Sequence, residues 1–375
     1  MRPKGRMSEL EYTEQGWRMT TDTKRHHRTK AWDYCGIGIY HVTLVVAERY
    51  PLFGELSGDT ADEAYIALNS FGQLVLALLR DEPRYYGEKG YSFKILATQI
   101  MPDHIHIAIQ VLKPLPKSVG NIIRGFKSAC TSLYKKTNVE SGRNYATKGE
   151  NDGENDFPFS RIFTRIGSIW NPDTAYYHER IIHGIEQIDS LIHYIKDNPR
   201  RLWLKRANPD LFRIHQQTLI VGFTCTTLGN MFLYEAPLKA PLHCSRTLTQ
   251  AEIETLKDEC LSNADNGTIY VSAAISEGEK QICRALREAG FPLIILLNDG
   301  FPETDSPHYK YYKPQGIYFE ACAAGNLLLV EPTSELFEQP DIKAKVYAKA
   351  GIIPHTSERY HFLALNALAD KMGND

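Results

Sequence analysis

Two short stretches of this chain carry side chains whose types and spacing suit chemistry. In MPDHIHIAI, from Met101 to Ile109, two histidines are separated by one residue. On a strand, alternate side chains share a face. His104 and His106 therefore point one way, while Ile105 and Ile107 point into a core. Two imidazoles on adjacent same-face positions can share one cation. In LIHYIKDNP, from Leu191 to Pro199, the residues read as a helix that places Tyr194 and Asn198 at i and i+4, on one face. Tyr194 offers a phenolic nucleophile, and Asn198 a carbonyl oxygen as a third metal ligand. Taken alone, each stretch also fits a structural role: two partly exposed strand histidines, a core tyrosine, an asparagine at a helix end before a proline. Tyr176, Tyr177 and Tyr134 are the rival nucleophiles.

One chemistry that would use these groups together is attack of the phenol on a phosphate. A phenol with a pKa near ~10 is a poor nucleophile at neutral pH. A divalent cation at a phosphate stabilises the developing charge and favours attack. Imidazole nitrogens with an amide oxygen suit Mg²⁺ or Mn²⁺.

The elements that must position these residues follow from periodicity. Residues 38–56 alternate and are rich in β-branched and aromatic side chains, which predicts a strand running into a loop or second strand. Residues 60–83 have helical spacing and an acidic start, which predicts a helix. Residues 91–112 read as two strands hinged near Met101–Pro102, and 117–136 as a helix. Residues 141–158 are a polar, turn-rich insertion. Residues 162–171 read as a strand, and 174–199 as helix, broken at Gly184 and stopped by Pro199. This order predicts an α+β unit, an antiparallel sheet with helices on one face.

After Pro209 the texture changes. Residues 267–301 read as a buried strand, a Ser/Gly turn, an amphipathic helix and another buried strand, and 326–332 as a third apolar strand. Runs without alternation imply a parallel sheet covered on both faces. The division expected is a basic arm over 1–30, a first domain over 31–210, and a smaller α/β Rossmann-like domain over 211–375.

The two chemical stretches sit in a larger pattern. YHVTLVVAERYPLFG from Tyr40, MPDHIHIAI, IIRGFKSACTSLY from Ile122, Ile169–Trp170, YYHERII from Tyr176 and YIKDNP from Tyr194 follow one another over about residues 36–200. This stretch resembles the HUH-type single-tyrosine transposases, within them the REP-associated tyrosine transposases. The resemblance implies a sandwich fold and single-stranded DNA cleavage and strand transfer through a 5′-phosphotyrosine. It gives His104, His106 and Asn198 the role of metal ligands and Tyr194 that of nucleophile. It makes Arg124, Lys127, His178 and Arg180 candidates for holding DNA, single-stranded or hairpin, with a second copy of the chain as a candidate partner. Tyr145, Trp170 and Trp203 are the candidate stacking surfaces.

In the second half, Ser272, Ser276 and Gly278 lie where a Rossmann-like unit holds phosphate against a helix N-terminus. There is no GxGxxG and no Walker lysine. Residues 265–335 are loosely similar to DprA/Smf-type Rossmann folds, which implies a bound nucleotide or DNA. Two further functional classes stand beside the transposase: a non-catalytic, domesticated DNA-binding regulator, and a nucleotide-sensing protein acting through the C-terminal domain. Nothing in the sequence reads a 2′-hydroxyl, so RNA stays open as a substrate.

Composition bounds these readings. The chain has 375 residues, 43% hydrophobic and 23% charged, which suits two globular domains. Residues 1–215 hold 30 Lys and Arg against 25 Asp and Glu, a net +5; residues 216–375 hold 13 against 20, a net −7. The basic half, with KRHHRTK from Lys24 to Lys30, is the candidate for a polyanion. Seven cysteines without a CxxC pair argue for reduced thiols and against a zinc ribbon. No secretory leader or apolar span is present in the sequence, which predicts a cytoplasmic protein without a membrane partner.

Overall fold

The computed structural model describes residues 10–13, 16–19, 32–140, 158–172, 178–182, 186–298, 301 and 316–373. The chain divides into two units, Met1–Trp203 and Leu204–Asp375.

In the first unit a small hairpin, β1 (Leu10–Thr13) and β2 (Gly16–Met19), precedes β3 (Gly38–Val45). A second hairpin pairs β4 (Gly54–Ser57) with β5 (Tyr65–Leu68). Then come α1 (Ser70–Gly87), β6 (Phe93–Ile100), β7 (His104–Val111), α2 (Val119–Glu140), α3 (Pro158–Ile166), β8 (His178–Ile182), α4 (Glu186–Lys196) and α5 (Asn198–Ala207). The main sheet is antiparallel throughout, in the order β6-β7-β3-β8.

The two faces of this sheet have different fates. Tyr40, Val42 and Leu44 of β3 and Ile105, Ile107 and Ile109 of β7 are all but fully buried and form one core with Val75 and Leu79 of α1 and Ile122, Ile123 and Phe126 of α2. Each such side chain contributes ~1.5–3 kcal/mol by leaving water. The helices come close at Gly125, where an added Cβ would run into the Tyr86 hydroxyl. The opposite face is thinner. There Ile39, Ala97, Ala108 and Ile182 pack against Leu191 and Ile195 of α4. The α+β class with an antiparallel sheet is as expected, and α4 adds a layer on the second face.

Three expected elements differ. Residues 60–83 are not one helix: Tyr65–Leu68 completes the β4–β5 hairpin, and α1 begins after Asn69, whose side chain accepts from the Gly72 amide. The N-cap at Asn69 outweighs the acidic run before it. The 162–171 stretch is not a strand. Its first part belongs to α3, because Phe159, Ile162, Phe163 and Ile166 recur at helical spacing and all meet the first core. The 174–199 stretch holds strand β8 before α4, and Pro199 lies in the first turn of α5 rather than ending a helix.

The second unit holds β9 (His215–Ile220), β10 (Phe223–Gly229), α6 (Phe232–Glu235), β11 (Lys239–Pro241), α7 (Gln250–Asp265), β12 (Ile269–Ser272), α8 (Glu277–Glu288), β13 (Leu293–Leu296), α9 (Gly316–Ala323), β14 (Leu327–Pro332), α10 (Glu335–Glu338), α11 (Pro340–Ala350) and α12 (Glu358–Gly373). β11 to β14 run parallel and side by side, as the apolar runs predict, and β10 and β9 extend the sheet antiparallel. One core joins the sheet to α7, α8 and α9, the other to α10, α11 and α12. All seven cysteines are free thiols. Among the described residues no helix is long and apolar enough to cross a membrane.

Candidate active site

The candidate site lies on the α4 face of the first sheet. Alternation along β7 sends Ile105 and Ile107 into the core and leaves His104 and His106 on the other side. Their neighbour β3 places Thr43 directly opposite His106 and His41 opposite Ala108. The three imidazoles stand together. His104 Nε2 is 3.2 Å from His106 Nε2, and His106 Nδ1 is 3.1 Å from both His41 Nε2 and Thr43 Oγ1.

The outer partners decide what the two facing nitrogens can do. Asp103 Oδ1 lies 2.5 Å from His104 Nδ1, and Asp103 Oδ2 accepts from Arg49 at 3.1 Å. Burial alone would raise the Asp103 pKa. The hydrogen bond from His104 and the charges of His104 and Arg49 outweigh it and hold the carboxyl below its usual range. An ionised carboxylate only accepts, so His104 Nδ1 carries a proton. In neutral His104 the Nε2 is then unprotonated. Burial, aided by the charge of Arg180, pushes His41 down to about 4, so His41 is neutral near pH 7. A neutral His41 has one N–H and one bare ring nitrogen. With the bare nitrogen at Nε2 it accepts from His106 Nδ1–H and leaves His106 Nε2 open to a cation; in the other tautomer His106 Nε2–H donates to His104 Nε2.

At 3.2 Å the two Nε2 atoms can share a proton as a hydrogen bond or, both unprotonated, a cation. Two nitrogens bound cis to one divalent cation at ~2.1 Å stand roughly 3 Å apart, so the pair fits. Its outer partners are of the kind that fix metal-binding histidines in other proteins, a carboxylate on one ring and a neutral acceptor on the other. Among the described residues no group of three His, Cys, Asp or Glu side chains is set to hold a metal ion, so these residues supply two such donors and no third.

Tyr194 of α4 comes to this centre. Its ring meets His106 edge to face at 5.7 Å and His41 at 5.9 Å. Asn198 follows directly on this helix. α4 ends at Lys196, and the Asn198 amide turns back to cap it, with Nδ2 donating to the Tyr194 carbonyl at 2.7 Å and to that of Ile195.

Arginines surround the centre. Arg180, exposed on β8, pairs in register with His41. Arg49 holds Asp103, and its backbone, like that of Glu48, is in the left-handed region, at φ 52° and 55°. Arg165 of α3 pairs with Glu48. Arg201 of α5 sits over the Tyr194 ring, 5.5 Å from its centre. His178 pairs with Thr43 in the backbone register, and its side chain lies outside the described residues. Tyr145, Tyr176 and Tyr177 lie outside them too.

The other expected residues stand elsewhere. Arg124 and Lys127 belong to α2, on the far side of the sheet from the histidines. Tyr134 is buried among Phe71, Phe159 and Phe163. Trp170 is a core residue whose indole donates to the Lys127 carbonyl. Trp203 is half-buried and donates to the Gly58 carbonyl.

In the second unit Ser272, Ser276 and Gly278 all have structural tasks. Ser276 caps α8 in a reciprocal box with Glu279, the Ser272 hydroxyl accepts from the Ala274 amide, and Gly278 leaves room for Cys244 Sγ. The amides that a phosphate would need already serve the Glu279 carboxylate: Ile275 N at 2.7 Å, Ser276 N at 3.3 Å and Cys244 N at 3.2 Å. A carboxylate of the chain itself fills the anion position.

His41, Thr43, Arg49, Asp103 and Arg201 were missed by sequence reasoning. Asp103 was within reach, since it adjoins His104 in the MPDHIHIAI stretch. The others come together only through strand pairing and the α4–α5 turn.

No family profile matches the chain, and no curated protein matches it. Among solved structures, it is similar to one from Deinococcus radiodurans R1 described as a candidate transposase, at 14% identity and a TM-score of 0.25, over 46% of this chain and 98% of that one.

Proposed function

We propose that the first unit cleaves and rejoins single-stranded DNA as a metal-dependent transposase or endonuclease of the HUH single-tyrosine kind, with Tyr194 as nucleophile. The observation that carries this reading is the pair of Nε2 atoms 3.2 Å apart, each ring held from behind, with the Tyr194 ring against one of them. His104 and His106 would hold Mg²⁺ or Mn²⁺, which when bound supplies charge stabilisation at the scissile phosphate. Asp103, His41 and Thr43 keep the two rings in the ligating tautomer. Tyr194 forms a bond to phosphorus as the bond to the 3′-oxygen breaks. The phenol's proton ends on that oxygen through solvent, giving a 5′-phosphotyrosine and a 3′-hydroxyl. The reverse step with another strand's 3′-hydroxyl joins DNA and needs no outside energy source. Both histidines and the tyrosine belong to one chain, so a single copy carries the full set.

Covalent trapping tests the proposal. Labelled single-stranded and hairpin oligonucleotides are incubated with the protein and Mn²⁺ and resolved on a denaturing gel. A shifted protein band that needs metal, and is lost in Tyr194→Phe and His104→Ala, supports it. A band that survives Tyr194→Phe moves the nucleophile to Tyr176 or Tyr177.

The donor set favours a second reading. Among the described residues no third His, Cys, Asp or Glu completes the histidine pair, which weakens metal binding and suits a domesticated DNA-binding protein. Tight oligonucleotide binding with no covalent band would decide for it.

A further inference from the structure

The register of β6 against β7 sets an oxygen donor beside the histidine pair. Gln99 of β6 stands directly opposite His106. Opposed residues of an antiparallel pair share a face, with their Cβ atoms roughly 4.5–5.5 Å apart. Two positions along, the opposed pair Ala97 and Ala108 packs against α4, so Gln99 lies on the face of Tyr194. Gln99 is half-buried. Its Nε2 donates to the Ile100 carbonyl at 3.1 Å. A carbonyl only accepts, so this contact fixes which end of the amide is nitrogen and which is oxygen. Among the described residues the Oε1 accepts no hydrogen bond. On the other side of His106, β3 holds Nδ1: Thr43 Oγ1 and His41 Nε2 each lie 3.1 Å from it. The two nitrogens of an imidazole point apart. The edge that carries His106 Nε2 therefore leans away from β3, on the side where β6 lies.

We infer that Gln99 is an oxygen ligand of the cation held by His104 and His106, its Oε1 joining the two imidazole nitrogens. The inference rests on the proposed strand-cleaving function and deepens its metal site. Two imidazoles alone suit zinc, copper or nickel at least as well as manganese. A carbonyl oxygen shifts the set towards the hard cations Mg²⁺ and Mn²⁺. The reach suffices. From Cβ atoms roughly 5 Å apart, the two side chains extend over one face, and a cation ~2.1 Å from each donor joins them after rotation of the last glutamine dihedrals. The amide is neutral, so it leaves the cation its double charge for the phosphate. Asn198 is the other amide that the sequence offers, and its nitrogen also lies on backbone, at the Tyr194 and Ile195 carbonyls. The strand register separates the two, since it sets Gln99 opposite a histidine of the pair.

The test is Mn²⁺ binding to the full chain, followed by calorimetry without DNA. Gln99→Ala should weaken binding roughly tenfold, at the lower end of what loss of a supporting group at a metal site costs. Gln99→Glu keeps the oxygen and adds a charge, and should bind roughly tenfold more tightly than the wild type, since affinity follows the charge of the ligands. Gln99→Asn, one methylene shorter, should behave as Gln99→Ala. The preference for Mn²⁺ over Zn²⁺ should also fall in Gln99→Ala, because the set that remains is nitrogen alone. A merely structural glutamine gives neither the gain with glutamate nor the change of preference. Melting temperatures without metal, alike in the wild type and the variants, separate loss of a ligand from loss of fold. Unchanged affinity in Gln99→Ala overturns the inference alone, as does an equal loss in Gln99→Glu and Gln99→Ala. A loss in Asn198→Ala with none in Gln99→Ala overturns it too, and gives the oxygen to Asn198. Absence of Mn²⁺ binding by the wild type, or binding that His104→Ala leaves unchanged, overturns the metal-dependent function beneath it.

Discussion

The Tyr194 ring meets His106 edge to face, 5.7 Å centre to centre, although the two residues come from a helix and a strand far apart in the chain. His106 is almost fully buried, whereas Tyr194 is half-buried. The two sides of this contact therefore respond differently to substitution. Tyr194→Phe should abolish the covalent DNA adduct and shift thermal stability by less than ~0.5 kcal/mol. His106→Ala should remove activity and also destabilise the first unit by ~1–3 kcal/mol, since it empties a buried site and strands its hydrogen-bond partners. Melting curves of the two variants, read beside the gel, separate the effects.

Under the proposed metal role, Asp103 acts on the cation through His104. Asp103→Asn keeps the shape but lets the side chain offer a donor to the ring, so His104 loses its enforced tautomer. Mn²⁺ affinity by isothermal calorimetry should fall roughly 10–100-fold. Arg49→Ala should do the same to a smaller degree, through the freed Asp103 carboxylate. Unchanged affinity in both variants would remove the metal role of the pair.

Glu82 of α1 makes the first unit sensitive to pH. Burial, with the nearby Asp81 charge, pushes its pKa up to about 7 against the attraction of Lys89. Its Oε2 is buried without a partner. The folded state therefore binds the proton more tightly than the unfolded chain does. The stability that this gives is fully present below about 4.5 and is lost as pH rises through about 7. The loss should be on the order of 1–3 kcal/mol. Glu82→Gln should flatten the curve between pH ~5 and ~8 and stabilise the unit at the upper end, which denaturant melts across that range would show.

Glu279 is predicted to be the internal anion of the second unit. Glu279→Ala strips the amides of Ile275, Ser276 and Cys244 of their acceptor and breaks the α8 cap. The cost should be ~2–4 kcal/mol, seen as a lower melting temperature. Inorganic phosphate should raise the melting temperature of this variant and leave that of the wild type unchanged, because only the variant has an open place for an anion.

The parts of the site legible in the sequence were those written within a few residues. His104 and His106 could be placed on one face from strand alternation alone, and the two hinged strands over 91–112 follow from the same pattern. The apolar runs after Pro209 disclosed a parallel sheet because strands covered on both faces have no polar alternation to hide them. His41 was not legible, since its partner His106 lies 65 positions away and only the β3–β7 register unites them. β8 was read as helix because five residues between turns carry too little periodicity to decide. The break between α4 and α5 at Asp197 was not legible either, since the run to Pro199 carries unbroken helical spacing.

The left-handed pair Glu48 and Arg49 has a bearing on protein engineering. Neither is glycine, and each residue held there costs ~1 kcal/mol relative to ordinary backbone. A stability screen would favour glycine at both positions. Such a variant would melt later and yet lack both the guanidinium that meets Asp103 and the carboxylate that meets Arg165. Any campaign that ranks variants of this protein by heat tolerance alone would therefore discard the group that holds Asp103 behind the histidine pair.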